Sequence, residues 1–351
     1  MRDAARHPRL RLRPPSRGGD RRPRSIATAA AILALALSPA CVSAIELSAP
    51  IACPAGLVCP VQNLFDHDPG KTVRDFRCTA LGYDGHDGVD FRVPSLAVQK
   101  AGVDVKAAAD GVVVGTRDGM ADVGLKEAGA EAFKGVECGN GVMIRHDDEW
   151  STQYCHMAKG SIAVAKGETV ARGQTIGRVG FSGMTEFPHL HFALRRNGKP
   201  VDPYAPDGPS PSCGEVRSAW APDAATAVAI DAPLVLNAGF SDGPVPNDAI
   251  ESGTVEQRKP GAQSPALVAY VRVIGLARGD GARLALLAPD GKELARNEVP
   301  AVDRPKAQWS LFTGRKRPAD GWAPGRYRAT VEILRGGKAL KTSETTVEIG
   351  G

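Results

Sequence analysis

The sequence predicts an all-β protein of two domains, and three observations predict it. Short β-branched runs alternate with glycine turns in VKAAADGVVVG (105–115) and AKGETVARGQTIGRVG (165–180). Longer alternating runs separated by turns fill the C-terminal third, at 266–276, 282–295 and 326–349. Between these regions lies PDGPSPSCG (206–214), followed by an alanine-rich stretch to about residue 227, a linker by composition. At 351 residues and 42% hydrophobic, the chain is long enough to bury a sizeable core, and its length favours two domains over one. Helical heptads, phosphate-cradling glycine loops and internal repeats are not seen.

The chain opens on nine arginines within residues 1–25, set against Asp3 and Asp20, a local charge of 9 − 2 = +7. The whole chain carries +5, so the remaining residues sum to 5 − 7 = −2. Most of the protein is nearly neutral, and nucleic acid is not indicated as a partner. The basic head leads into IATAAAILALALSPACVSA (26–44), apolar and closing on Val42-Ser43-Ala44. That order describes a secretory signal peptide cleaved after Ala44. Pro39 interrupts the run, which is short for a bilayer span, so no stable membrane insertion is expected after cleavage. Ser38-Pro39-Ala40-Cys41 fits a lipoprotein box poorly, because Ser38 stands where leucine is usual.

Export changes how the cysteines read. Cys41 leaves with the leader, and Cys53, Cys59, Cys78, Cys138, Cys155 and Cys213 remain. An even set in an oxidising compartment suggests three disulfides. Fifteen pairings are open. A short loop favours Cys53–Cys59, a brace between neighbouring strands favours Cys138–Cys155, and Cys78–Cys213 would then tie the ends of the first domain together.

The chemistry sits in the first domain. In YDGHDGVDF (83–91), His86 and Asp90 are four apart and share a face of an extended segment, with Gly88 letting the backbone pass close to a bound group. An imidazole and a carboxylate make half of a zinc site, and one more imidazole would leave a tetrahedral position open for water. GVMIRHDDEWSTQYCHMAKG (141–160) reads as a hairpin turning at Asp147-Asp148-Glu149, with His156 on the same strand face as Tyr154 and Thr152. In PHLHF (188–192), a strand places His189 and His191 on one face and Leu190 and Phe192 on the other. Taken singly, each histidine is equally a structural one. Asp66-His67-Asp68 invites a second metal site, but before Pro69-Gly70 it reads better as a polar turn. Residues 117–137 look like an insertion, part loop and part short helix.

Together, H-x-G-x-D, T-x-Y-x-H and P-H-L-H-F, in this order over roughly residues 60–205, resemble the M23 metallopeptidases, the family of lysostaphin-type and LytM-type peptidoglycan endopeptidases. The resemblance implies an antiparallel β-sheet domain of barrel-sandwich type with a groove across it. It implies Zn2+ on His86, Asp90 and His191, and His156 and His189 as the two catalytic histidines flanking a metal-bound water. Such a zinc lowers the pKa of its water from 15.7 towards about 7. One histidine would take the water's proton and the other would stabilise the oxyanion or protonate the departing amine. Tyr154 reads as an oxyanion donor or as a core tyrosine bonded to backbone, and His146 as packing. Two positions depart from the family pattern: Phe187 stands where glycine is frequent, and Ala193 where glutamate is usual.

The expected organisation is a signal peptide (1–44), an M23-type domain (45–213), a linker (214–227) and an immunoglobulin-like β-sandwich (228–351). In the last hairpin Tyr327, Ala329, Val331 and Ile333 share one face, and Gly336-Gly337 makes the turn. No catalytic grouping appears in the sandwich, which offers a docking module for a protein partner or a passive stabilising domain; exposed Trp309, Trp322 and Tyr327 would favour docking. The functional expectation is an exported zinc endopeptidase acting on peptidoglycan, in a Gram-negative periplasm. Its alternatives are a non-catalytic relative that binds wall or activates an amidase, and a disulfide-stapled periplasmic binding protein with incidental histidines.

Overall fold

Antiparallel pairing organises every sheet of the computed structural model, which describes residues 45–213 and 216–350. The leader expected over residues 1–44 lies outside the described residues. Among the described residues no helix is long and apolar enough to cross a membrane.

In the first domain the main sheet runs Val61–Asn63, Val89–Arg92, His189–Arg196, Trp150–Met157, Asn140–Arg145, Gly111–Arg117 and Thr169–Val170, with Lys199–Val201 returning against His189–Arg196. Strand alternation turns Val89, Phe91, Ile144, Tyr154, Leu190 and Phe192 into one fully buried layer. A smaller sheet of Ile51–Ala52, Asp104–Lys106 and Thr175–Arg178 contributes Ile51, Val105 and Ile176 to the same core.

The three disulfides are Cys53–Cys59, Cys78–Cys213 and Cys138–Cys155, the pairing that loop length and strand proximity favoured. Of the connection read from composition at 214–227, the described residues are themselves packed. Trp220 lies against Phe91, Phe192 and Tyr204, and Ala219, Ala224 and Val228 join the first core. Small alanines make this segment look like a spacer, while one tryptophan anchors it.

The C-terminal domain is a sandwich of two antiparallel sheets, Leu234–Ser241, Ala266–Leu276 and Lys306–Lys316 facing Glu293–Val299, Asp280–Leu287, Gly325–Arg335 and Lys338–Ile349. Its core interleaves Leu267, Val271 and Leu311 of one sheet with Leu284, Val331 and Ile333 of the other. Tyr327 donates its hydroxyl to the Ala323 carbonyl at 2.9 Å, the backward bond of a tyrosine corner, and packs edge-on against Trp322. This is the immunoglobulin-like arrangement. Trp322 and Tyr327 are therefore core, whereas Trp309 and Phe312 are exposed.

The two domains meet through charge. Arg92 has no exposed surface and donates Nη2 to both carboxylate oxygens of Glu251, at 2.8 and 2.7 Å. Glu251 lies on the Asn247–Ser252 helix of the second domain and also receives Nη1 of Arg272, which is buried in turn and reaches the Pro94 carbonyl. One carboxylate thus serves two buried guanidinium groups. Removing one partner of a buried ion pair typically destabilises by about 3–5 kcal/mol, because the remaining charge is left in low dielectric. Glu251→Ala should lower unfolding stability by that amount in urea titration. An unchanged midpoint would show that this cluster does not hold the domains.

Candidate metal centre

The centre is built by register. His191 pairs with Asp90 across the His189–Arg196 and Val89–Arg92 strands, so two residues 101 apart in sequence face each other. His86 arrives from the turn just before Val89–Arg92, and that turn is fastened by Asp66, whose Oδ2 accepts from the Gly85 amide at 2.9 Å. Asp66 also accepts from the Asp68 and Arg74 amides, so Asp66-His67-Asp68 is a turn directed at backbone donors, and His67 pairs with Asp202.

The three donor atoms form a near-equilateral triangle. His86 Nε2 is 3.1 Å from Asp90 Oδ1 and 3.2 Å from His191 Nδ1, and His191 Nδ1 is 3.0 Å from Asp90 Oδ1. Ligand bonds of about 2.0–2.2 Å in a tetrahedron place donor atoms roughly 3.3 Å apart, so this set fits a small tetrahedral cation. The remaining polar atoms are also assigned. His86 donates Nδ1–H to the Leu64 carbonyl at 2.7 Å, leaving Nε2 for the cation. His191 Nε2 lies 3.3 Å from Asp87 Oδ1, leaving Nδ1 inward, and Arg195 steadies Asp87 from 3.3 Å. Asn63 donates Nδ2 to Asp90 Oδ2 at 2.8 Å. Burial would raise the Asp90 carboxyl pKa, but His86, His189 and His191 outweigh it and hold it well below the usual carboxylate range. Burial pushes His191 down, and the Asp87 and Asp90 carboxylates more than reverse this, raising it to about 9.

His156 is where strand alternation fails. Tyr154 pairs with Phe192 on the core side, its ring 5.4 Å from that of Phe192, so strict alternation would bury His156 there as well. Instead His156 adopts φ = 59°, a left-handed conformation that few side-chain-bearing residues visit, and its ring turns to the opposite face, 4.7 Å from that of His189 and 6.1 Å from that of His191. The shared face expected for His156, Tyr154 and Thr152 is thus corrected. Such a conformation costs of order 1–3 kcal/mol and persists only where neighbours enforce it. Here the Cys138–Cys155 disulfide abuts it, the His156 amide donates to the Cys138 carbonyl at 2.8 Å, and its carbonyl accepts from Gly180 at 2.9 Å.

Both flanking histidines are fixed by the 180–187 loop. His156 donates Nδ1–H to the Ser182 carbonyl at 2.8 Å and His189 donates its own to the Phe187 carbonyl at 2.9 Å, so each presents Nε2 to the site. Burial, with His189 and His191 nearby, holds the His156 pKa well below the ordinary imidazole value, so it is neutral at neutral pH. The 117–137 insertion, which holds the short Leu125–Ala128 helix, braces this loop: Asp122 accepts from the Phe181 amide at 2.8 Å and the Leu125 amide donates to the Thr185 carbonyl at 2.8 Å. Phe187 lies beneath Arg92, whose guanidinium is 4.2 Å from the ring centroid.

Tyr154 and His146 stand apart from the centre. The Tyr154 hydroxyl accepts from the Ala108 amide at 2.8 Å, and burial pushes its pKa up to about 12. His146 bonds to the Asp110 carbonyl and to Thr152. Asn63, Asp87 and the 180–187 carbonyls escaped the reading of the sequence; backbone carbonyls leave no residue signature, and Asp87 alone, adjacent to His86, offered a signal.

Gly88 also has a different reason from the one expected. A Cβ there would lie 2.5 Å from the Phe192 carbonyl oxygen and 2.8 Å from the His191 ring, so the glycine makes room for a neighbouring strand and its imidazole. Gly88→Ala should leave the β circular dichroism intact and weaken divalent-metal binding at least about tenfold, measured with zinc by competition against a chromophoric chelator. Unchanged affinity would show that His191 has slack at this position.

The comparisons with known proteins bear on this same segment. The profile of Peptidase family M23 matches residues 84–203. Peptidoglycan DD-endopeptidase ShyA of Vibrio cholerae is 37% identical over 117 residues, 33% of this chain and 22% of its own length. DD-carboxypeptidase/endopeptidase Mpg of Neisseria meningitidis is 34% identical over 136 residues, 38% of this chain and 25% of its own length. The chain thus spans a quarter or less of the length of these curated relatives. Among solved structures, a zinc-containing peptidase from Vibrio cholerae aligns at 26% identity over 45% of this chain and 39% of its own, with a TM-score of 0.31, too low to argue from. Residues 84–203 are a peptidase family M23 domain.

Proposed function

We propose that the protein is an exported zinc endopeptidase that hydrolyses peptide bonds in peptidoglycan cross-links or stem peptides. The observation that carries this reading is the triangle of His86 Nε2, Asp90 Oδ1 and His191 Nδ1 with sides of 3.0–3.2 Å, flanked by two histidines that both present Nε2. A set of two imidazoles and one carboxylate, with a free fourth position, is the donor chemistry of catalytic zinc. Zinc held there supplies Lewis acidity towards a scissile carbonyl and a water acidic near neutral pH.

The protein's own groups supply the proton handling. His156, kept neutral by its burial, accepts a proton at Nε2, and its Nδ1–H bond to Ser182 fixes the tautomer that allows it. His189, equally oriented by Phe187, presents Nε2 on the other side, and in its doubly protonated form would donate from there to the oxygen that gains charge or to the departing nitrogen. Peptidoglycan as substrate is supported by the DD-endopeptidase names of the similar proteins. Three disulfides support an oxidising compartment outside the cytosol, and a Gram-negative periplasm accords with the leader's composition.

Muropeptide mass spectrometry after digestion of purified sacculi tests this reading. The zinc-loaded protein should remove cross-linked dimers, and a chelator or His191→Ala should abolish that loss. His156→Ala and His189→Ala should each slow it by about 10²–10⁴-fold while zinc content stays at one per chain. An unchanged profile with folded, zinc-loaded protein would refute the enzyme and point to a wall-binding or amidase-activating regulator.

A further inference from the structure

A cavity of about 390 Å³ lies between the two domains, and none of His86, Asp90 and His191 lines it. Its polar lining is Gln62, Asn63, Arg77, Thr79, Lys306 and Arg335, and no aspartate or glutamate lines it among the described residues. Gln62 sits mid-strand in Val61–Asn63 with 1% of its surface exposed, yet among the described residues neither its Nε2 nor its Oε1 has a hydrogen-bond partner. Interiors rarely leave both ends of an amide unpaired. Arg77 Nε is likewise buried without a partner.

The cations are unequal. Asp280 grips Arg335 through two bonds, at 2.6 and 2.9 Å, which uses that charge within the second domain. Among the described residues Lys306 meets one carboxylate, the almost fully exposed Asp303 at 3.6 Å, and its Nζ lies 5.7 Å from the centroid of the Trp309 ring. The positive charge available to an occupant therefore comes from Arg77 and Lys306, one from each domain. An anion would satisfy these cations and the Gln62 NH2 group, and Gln62 Oε1 accepts from a donor. An occupant with a carboxylate close to an N–H matches all of these groups at once.

We propose that this interdomain cavity binds a small carboxylate bearing a peptide-like N–H, held by Arg77, Lys306 and the Gln62 amide. At this volume an acylated amino acid or the free carboxyl end of a short peptide fits. The site also touches the metal centre by one residue: Asn63 lines the cavity and donates its Nδ2 to Asp90 Oδ2. An occupant reaches the strand that positions a metal ligand.

The test is isothermal titration of the full chain with N-acetyl-D-alanine, its methyl ester, and a disaccharide tetrapeptide from digested sacculi. N-acetyl-D-alanine should bind, and the ester should bind at least about tenfold more weakly, since it lacks the charge. Arg77→Gln and Lys306→Gln should each weaken binding about tenfold, and His191→Ala should leave it within about twofold, which separates this site from the metal. Lys306 lies at the rim, so its variant keeps the test valid if Arg77→Gln fails to fold. Tighter binding of the tetrapeptide than of N-acetyl-D-alanine would assign the carboxylate to wall stem peptides, and weaker binding to a free acylated amino acid. No binding of either at about 50 mM, equal binding of the ester, or binding lost in His191→Ala but kept in Lys306→Gln would overturn the proposal.

Discussion

The whole centre depends on the register in which the His189–Arg196 strand pairs with Val89–Arg92. His191 opposite Asp90 is one pair in that ladder, and a slip of the His189–Arg196 strand by one residue would turn His189 and His191 to the apolar layer and bring Leu190 and Phe192 to the polar face. Core packing prevents that slip: Leu190, Phe192, Val89 and Phe91 have no exposed surface. Thus the hydrophobic effect, acting on the even-numbered side chains of one strand, sets the positions of its odd-numbered histidines, His189 and His191. Glycine at 88 is the complement of this pairing, because the His191 ring and the Phe192 carbonyl occupy the space a side chain would need.

The second constraint is the departure from strand geometry at His156. A regular strand would send that imidazole into the core beside Tyr154, and the left-handed turn brings it to His189 instead. The disulfide at Cys155 and the hydrogen bonds of the His156 amide and carbonyl hold the turn, while the 180–187 loop sets the tautomers of both flanking histidines. The insertion at 117–137 belongs to this apparatus, since it holds that loop rather than standing as decoration. Glu251 of the second domain then neutralises Arg92, which stacks on Phe187 immediately before Pro188-His189, so the sandwich is joined to the wall of the site.

Much of this was legible in the sequence, and the reasons are physical. Period-two alternation in PHLHF placed His189 and His191 together, and the hairpin at 141–160 and the strand at 266–276 were bounded by their turn residues. His86 and Asp90 were legible as a donor pair by residue type. The face of His156 was not, because alternation is a rule for regular strands and the sequence carries no mark of a left-handed histidine. Arg92 reads as an exposed strand residue until a carboxylate 159 positions away covers it. The Leu64, Ser182 and Phe187 carbonyls that orient three imidazoles belong to the backbone, which every sequence shares. Trp220 was hidden in an alanine-rich run whose composition resembles a spacer.

The central claim is that His86 and His191 hold zinc through different nitrogens while His156 and His189 remain unligated. Histidine-nitrogen NMR of the zinc-loaded protein measures this directly, since metallated, protonated and lone-pair nitrogens resonate apart. The account predicts metal-bound Nε2 on His86, metal-bound Nδ1 on His191, and protonated Nδ1 on both His156 and His189. Zinc signatures on His156 or His189, or no metallated nitrogen in the presence of excess zinc, would contradict it.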